Sequence, residues 1–304
     1  MEKEICEIPS VVEGILKKYN TVLSLKYHKM IKTISSAKTI HIAACGTSYH
    51  AGLILGELFE KYCQIRTKTY FASEVSDCLV CKEDVCIVIS QSGETTHTLN
   101  ALEYFNKLGI QTISLVNVEN STMANRADFC INLHAGPEIS VASTKVFVAS
   151  LLVGVILINS IAKLKFKQTV FKSRDFEELI ASSKRAVKDK KNSKKLVHKD
   201  LQRLFYLGTG LDVYLAYEAA LKIKETCYIH CEGYASGEFK HGPIAMVDDK
   251  TMIVDIASDG ALGFVIGVIP NYFFALYLSR AKGLDPDKPR NLTKCVKDLD
   301  SYMG

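Results

Sequence analysis

The sequence predicts an α/β protein built from two parallel-sheet units, the second shorter than the first. Three observations carry this reading. Apolar strand-like runs alternate with helix-length periodic segments through the first half, as in a parallel sheet covered on both faces. A strand entering a glycine turn occurs twice, as Ile42-Ala-Ala-Cys-Gly-Thr-Ser48 and as Leu204-Phe-Tyr-Leu-Gly-Thr-Gly210, which suggests a duplicated unit. The second copy then offers fewer strands than the first and runs into a closing helix almost at once.

Taken in order, residues 39–45 read as a buried strand and 48–62 as a helix. Strands follow at 65–72 and 84–90, a helix at 95–108, strands at 112–117 and 130–133, and a long helix at 141–162. Residues 184–199 carry eight Lys or Arg against the single acid Asp189. No aromatic residue interleaves them, so a solvated helical connector is expected rather than a nucleic-acid patch. Beyond it, only 205–208 and 251–257 read clearly as strands before the final helix at 264–282. Since a βαβ unit takes roughly 30 residues, the second copy lacks about one such piece after Ala257. The expected division is 1–185, an N-terminal linker and first unit, and 186–304, the second unit with a C-terminal tail.

Composition narrows the class. With 48% apolar and 23% charged residues the chain is neither disordered nor fibrous, and a net charge of +5 does not by itself imply nucleic acid. The charged start Met1-Glu2-Lys3-Glu4 is followed by no apolar core of the kind a secretory leader needs. The longest apolar runs, 146–162 and 264–278, are interrupted by polar residues or proline and fall short of the roughly 20 residues that cross a bilayer. The expectation is a soluble, cytoplasmic protein with no membrane partner. Ten cysteines in 304 residues read as packed, reduced thiols. Cys78-Leu79-Val80-Cys81 has the CxxC form, but no second pair follows to complete a zinc ribbon.

Three places could carry chemistry. The turns Cys45-Gly46-Thr47-Ser48 and Ser90-Gln91-Ser92-Gly93-Glu94-Thr95 each join a strand to a helix. Small hydroxyl residues and glycine at a helix start suit a phosphate, and no lysine completes a nucleotide-binding P-loop. The third place is Glu218-Ala-Ala-Leu-Lys222-Ile-Lys-Glu225, where 218, 222 and 225 share one helix face. It is either a surface ion-pair ladder or an acid/base cluster in which Glu225 moves a proton beside a lysine. His241, in a glycine-flanked loop, is a second proton-transfer candidate.

With these motifs in view, the chain resembles the isomerase half of the glutamine–fructose-6-phosphate aminotransferase family, built from two sugar isomerase (SIS) domains. The matching stretches are Met1-Glu-Lys-Glu-Ile, Cys45-Gly-Thr-Ser-Tyr-His, Ile89-Ser-Gln-Ser-Gly-Glu-Thr95, Val141-Ala-Ser-Thr-Lys145, Glu218 to Glu225, Glu238-Phe-Lys-His-Gly-Pro243 and Pro289-Arg-Asn-Leu-Thr-Lys294. The resemblance implies two flavodoxin-like units that bind fructose 6-phosphate. It implies ketose–aldose isomerisation, and amination to glucosamine 6-phosphate when ammonia is supplied, in amino-sugar biosynthesis leading to UDP-N-acetylglucosamine. On the same basis Ser48, Ser90, Gln91, Ser92 and Thr95 hold the phosphate, and Val141 and Thr293 offer backbone contacts to the sugar. Glu225 shuttles the proton between C1 and C2, with Lys222 sharing that traffic. His241 opens the sugar ring from a neighbouring subunit, which implies a homodimer. Lys294 forms an imine with the open-chain ketose. No metal or organic cofactor is called for.

Two departures qualify the expectation. Met1 opens directly at the linker into the isomerase half, without the family's glutaminase half, so ammonia is expected from solution or from a separate glutaminase subunit. The missing piece after Ala257 would expose a sheet edge and could weaken catalysis. The competing readings are a glucosamine-6-phosphate deaminase on the same fold and a non-catalytic sugar-phosphate-binding protein.

Overall fold

The computed structural model describes residues 1–76 and 78–295. Along the chain these residues form α1 (Glu2–Tyr19), α2 (His28–Ser35), β1 (Thr39–Ala44), α3 (Gly46–Leu58), β2 (Arg66–Phe71), β3 (Val85–Ser90), α4 (Thr96–Lys107), β4 (Gln111–Val116), α5 (Thr122–Arg126) and β5 (Phe129–Asn132). They continue with α6 (Lys145–Phe166), α7 (Ser173–Lys188), α8 (Lys190–Lys195), β6 (Arg203–Gly208), α9 (Asp212–Cys227), β7 (His230–Ala235), β8 (Thr251–Asp255), α10 (Gly263–Ile266) and α11 (Ile269–Ala281).

Two compact units emerge. The five-stranded unit comprises Gly14–Gly136, Ala149–Lys172 and Cys295; the three-stranded unit comprises Met1–Glu13, Pro137–Val148 and Ser173–Lys294. The first holds a parallel sheet in the order β2-β1-β3-β4-β5. Central strands β1 and β3 are buried almost throughout, as a parallel sheet with covered faces requires. From Ala149 onward, α6 is an apolar rod whose Gly154 leaves no room for a Cβ beside Leu55 of α3. That contact draws the two helices together.

The second sheet is parallel, in the order β7-β6-β8. It reproduces the β2-β1-β3 half of the first and, among the described residues, has no counterpart of β4 and β5. The chain leaves β8 through the short loop 256–262 into α10, so β8 is a sheet edge and its Ile253 lies 41% exposed. The unequal repeat read from the sequence is therefore a difference in strand number. Gly208, where β6 turns into α9, has no space for a side chain against the backbone of Asp212, which accounts for the glycine at this turn.

Several boundaries differ from expectation. The long helix begins at Lys145 rather than residue 141, because the Glu138 carboxylate accepts from the N–H groups of Thr144 and Val146 at 2.8 and 3.3 Å and fixes the helix start there. Strand β7 was not anticipated, since His-Cys-Glu-Gly-Tyr-Ala shows no alternation. The closing helix is two helices, separated at Gly267 and Val268, with Pro270 in the first turn of α11. The connector 184–199 is largely helical and mostly exposed, as expected.

The reading of the apolar runs as too short to cross a bilayer is corrected. Lys145–Phe166 is long and apolar enough, as is Gly263–Ala281 when counted across the break at Gly267 and Val268, but the most apolar window of the first is wholly buried inside the protein and that of the second is 67% buried. The polar interruptions of α6 are satisfied internally. The Asn159 amide donates to the carbonyls of Thr21 and Phe171, and the Ser160 hydroxyl accepts from the Leu23 N–H.

Candidate active site

Two groups of the singled-out residues are each drawn together, one in each unit. In the five-stranded unit β1 and β3 are neighbours, with Ala44 paired to Ile89, so the turns at their carboxyl ends open side by side. Helices α3 and α4 start from these turns, and neither is capped by the side chain of its N-cap residue, Cys45 or Thr95. Two helix starts without side-chain caps, facing the same end of a parallel sheet, form an anion-attracting corner.

The second turn is tightly built. The Ser90 hydroxyl accepts from the Gly93 N–H at 3.0 Å and lies 3.4 Å from the Thr95 hydroxyl. The Ser92 hydroxyl accepts from the Glu94 N–H at 3.1 Å and donates to the Cys295 sulfur at 3.4 Å. Gly93 has φ +67°, and a Cβ there would collide with Ser121, so this turn requires glycine. The Glu94 carboxylate accepts from the Thr122 N–H at 2.7 Å and its hydroxyl at 2.9 Å, anchoring the turn to the start of α5. Gln91, Ser92, Thr95 and Ser48 are half-buried.

In the three-stranded unit, helix periodicity puts Glu218, Lys222 and Glu225 on one face of α9. Lys222 Nζ lies 3.4 Å from Glu218 and 2.6 Å from Glu225. The Glu218 and Lys222 side chains are fully buried, while Glu225 is 20% exposed. The surface-ladder alternative is thereby excluded. The Tyr272 hydroxyl, from α11, donates to Glu218 at 3.1 Å. Burial alone would lower the Lys222 pKa, but the carboxylates of Glu218, Glu225 and Glu138 outweigh it and hold the ammonium above its usual range. Burial and the Glu218 carboxylate push the Tyr272 phenol far upward, so it stays a neutral donor.

Lys294 belongs to the same unit. Its Nζ donates to Glu138 at 2.9 Å and to the Ser140 carbonyl at 2.7 Å. Glu138, fully buried, also accepts from the Ser143 hydroxyl at 2.8 Å. The loop it belongs to is tied back by Glu4, whose carboxylate accepts from the N–H groups of Ile139 and Ser140 at 2.5 and 3.0 Å. The Val141 N–H donates to the Asp287 carbonyl at 3.2 Å. Thr293 is exposed, as is His241 at the end of a 3-10 turn (Glu238–His241) whose Phe239 is buried. Sequence reasoning missed Glu138 and Tyr272. Glu138 stands in an aperiodic loop, and Tyr272 is one aromatic among many in an apolar helix, so no periodicity marks either.

Comparison with known proteins bears on this arrangement. The SIS domain family model matches residues 33–160 and 196–262. The glutamine–fructose-6-phosphate aminotransferase of Geobacillus kaustophilus is 34% identical over 347 aligned residues, covering 97% of this chain and 58% of that protein. The enzyme of the same name from Bacillus licheniformis is 33% identical with the same coverage. The chain thus spans 58% of the length of these curated relatives. The alignment exceeds the chain's own length, so the matched part of the relatives contains residues this chain lacks. Among solved structures, the C-terminal domain of the Francisella tularensis glucosamine-fructose-6-phosphate aminotransferase superposes with a TM-score of 0.85 at 29% identity, covering 94% of this chain and 97% of that one. A Thermotoga maritima glucosamine-6-phosphate deaminase reaches 0.83 at 23% identity, covering 97% and 98%, a likeness of fold alone. With the family match covering well over half of its residues and two parallel sheets of matching architecture, this chain belongs to the SIS domain family.

Proposed function

We propose that this protein binds fructose 6-phosphate, interconverts its ketose and aldose forms, and yields glucosamine 6-phosphate when ammonia is supplied. The observation that carries the reading is the buried Glu218–Lys222 pair ending in the partly exposed Glu225. Burying such charges is costly, and well-packed apolar residues commonly serve stability as well, so the cluster is a candidate for chemistry.

In this reading Ser48, Ser90, Gln91, Ser92 and Thr95 take the phosphate. His241, supplied by the second copy in a homodimer, removes the anomeric proton and protonates the ring oxygen, opening the sugar. The Glu225 carboxylate takes the C1 proton while the C2 oxygen gains one, forming an enediol. The same carboxyl returns its proton to C2 as the C1 hydroxyl loses its own, leaving the aldehyde. Lys222, held as an ammonium 2.6 Å away, fixes the Glu225 carboxylate in place and shares in the proton traffic.

Lys294 adds through its amine to the C2 carbonyl and water leaves as the imine forms. Glu138, 2.9 Å from Nζ, accepts the ammonium proton that frees the amine. Ammonia then displaces the lysine, and the C1-to-C2 proton shift gives the 2-amino aldose. The Val141 N–H is already engaged, which leaves its carbonyl for the sugar, together with the backbone of Thr293. The cytoplasm is the proposed compartment. The ammonia comes from solution or from a glutaminase.

One observation favours a non-catalytic sugar-phosphate-binding protein, namely the three-stranded second sheet. Binding alone, however, requires no buried proton relay. The experiment supplies fructose 6-phosphate with an ammonium salt and follows products. Glucosamine 6-phosphate formation supports the reading. Net release of ammonia from glucosamine 6-phosphate, without synthesis, would favour a deaminase, and binding without turnover would favour the non-catalytic protein.

A further inference from the structure

The five-stranded unit contains a cavity of about 400 Å³ that shares no residue with the phosphate turns. It lies between residues 22–31 and the last turns of α6, and its volume is in the range of small-molecule sites. The floor is apolar, with Leu23 and Ile31 buried and Leu164 half-buried. The Ser160 hydroxyl in the wall is already satisfied, accepting from the Leu23 N–H at 2.8 Å and donating to the Ile156 carbonyl at 2.7 Å.

The rim is different in kind. Lys163 in the last turn of α6, Lys167 just past its end with φ 60°, and His28 line it, with no carboxylate among the lining residues. Leu25, also in the lining, is 89% exposed, a large apolar side chain left in water beside an apolar hollow. The turn Leu25–Tyr27 and helix α2 both start here without side-chain caps from their N-cap residues, Ser24 and Tyr27. The α2 helix start therefore adds positive potential on the same side as the lysines.

We propose that this cavity binds a free carboxylic acid with a medium-length apolar tail. The tail covers Leu23, Ile31 and Leu164, and the carboxylate meets the ammonium groups of Lys163 and Lys167. A small anion would leave the floor wet and Leu25 exposed, while a neutral apolar molecule would leave the cations without a partner. Both halves of the ligand are needed to match both halves of the site.

The test is calorimetric titration of the intact protein with decanoate below its micellar concentration. Decanol, acetate and vesicles containing anionic lipid serve as comparisons. Decanoate is expected to bind, with decanol and acetate both much weaker and vesicles taking up no protein. The exposed pair Lys163→Glu/Lys167→Glu should weaken decanoate at least about tenfold, as loss of charge-assisted contacts implies, without changing fructose 6-phosphate binding. Leu164→Trp, which fills the floor while keeping both lysines, should weaken decanoate as well. No decanoate binding, equal binding of decanol, undiminished binding by the glutamate variant, or binding to vesicles in preference to free decanoate would each overturn the proposal.

Discussion

Replacing Lys222 by methionine keeps the length of the side chain and removes its charge from a site with no solvent access. The ammonium lies 2.6 Å from Glu225 and 3.4 Å from Glu218. At an effective dielectric constant near 20 these separations correspond to gross attractions of about 6 and 5 kcal/mol. Desolvation of the lysine offsets much of that. The net cost of stranding the carboxylates is about 3–5 kcal/mol, the range for breaking one side of a buried pair. For a chain of this size that is a fall in melting temperature of about 5–8 °C, readable by circular dichroism.

Glu225 can turn toward water, but Glu218 is fully buried, with the Tyr272 hydroxyl as a neutral donor at 3.1 Å. The second substitution Glu218→Gln should therefore restore part of the loss, by about 1–3 kcal/mol of coupling. The single variant should also recover relative to wild type as pH falls. Its stranded Glu218 takes up a proton on folding, and a carboxyl whose folded pKa is raised stabilises below that pKa and loses the contribution as pH rises through it. A melting temperature within about 2 °C of wild type, or a double variant less stable than the single one, would refute the reasoning.

The other predictions rest on separate contacts. Ser92→Ala should weaken fructose 6-phosphate binding in a direct titration, and an unchanged dissociation constant would remove Ser92 from the phosphate site. Glu138→Gln retains the shape of the carboxylate but cannot accept the Lys294 proton, so trapping of the substrate imine by borohydride should drop while phosphate affinity holds; undiminished trapping would exclude that role. His41 is buried in β1 between the Tyr70 hydroxyl at 3.0 Å and Asp84 at 3.3 Å, near Lys68 and against Phe105. Burial, opposed by Asp84, lowers its pKa. Its contribution to stability is therefore full above the ordinary histidine value of about 6.5 and is lost as pH falls through the folded value. His41→Gln should flatten that acid limb of a stability–pH profile, and an unchanged slope would contradict the assignment.

The parts of the fold legible in the sequence are those written in local pattern. The strand–helix alternation of residues 39–133 and both glycine turns follow from apolar period and backbone need, and the shared face of Glu218, Lys222 and Glu225 follows from helix geometry alone. What was illegible depends on partners distant in sequence. Strand β7 forms because β6 offers it a register, from Arg203 against His230 to Gly208 against Ala235, although its residues have weak strand pattern. The start of α6 is set by Glu138, and the burial of the α9 cluster depends on packing by α11 with Tyr272. The break between α10 and α11 was visible as Pro270, but two apolar segments in succession read as one. Lys294 carried no local signal of its association with Glu138, separated from it by 156 residues.

The central claim is that Glu225, steadied by Lys222, moves a proton between neighbouring carbons of a sugar phosphate. The most direct test is conversion of fructose 6-phosphate to glucose 6-phosphate by the purified protein without ammonia, run beside Glu225→Gln. The wild type should show measurable turnover and the variant its loss, at least about a hundredfold, as removal of a general base implies, with substrate affinity retained. Turnover that survives the substitution, or an absence of turnover in a wild-type protein that binds the substrate, would contradict it.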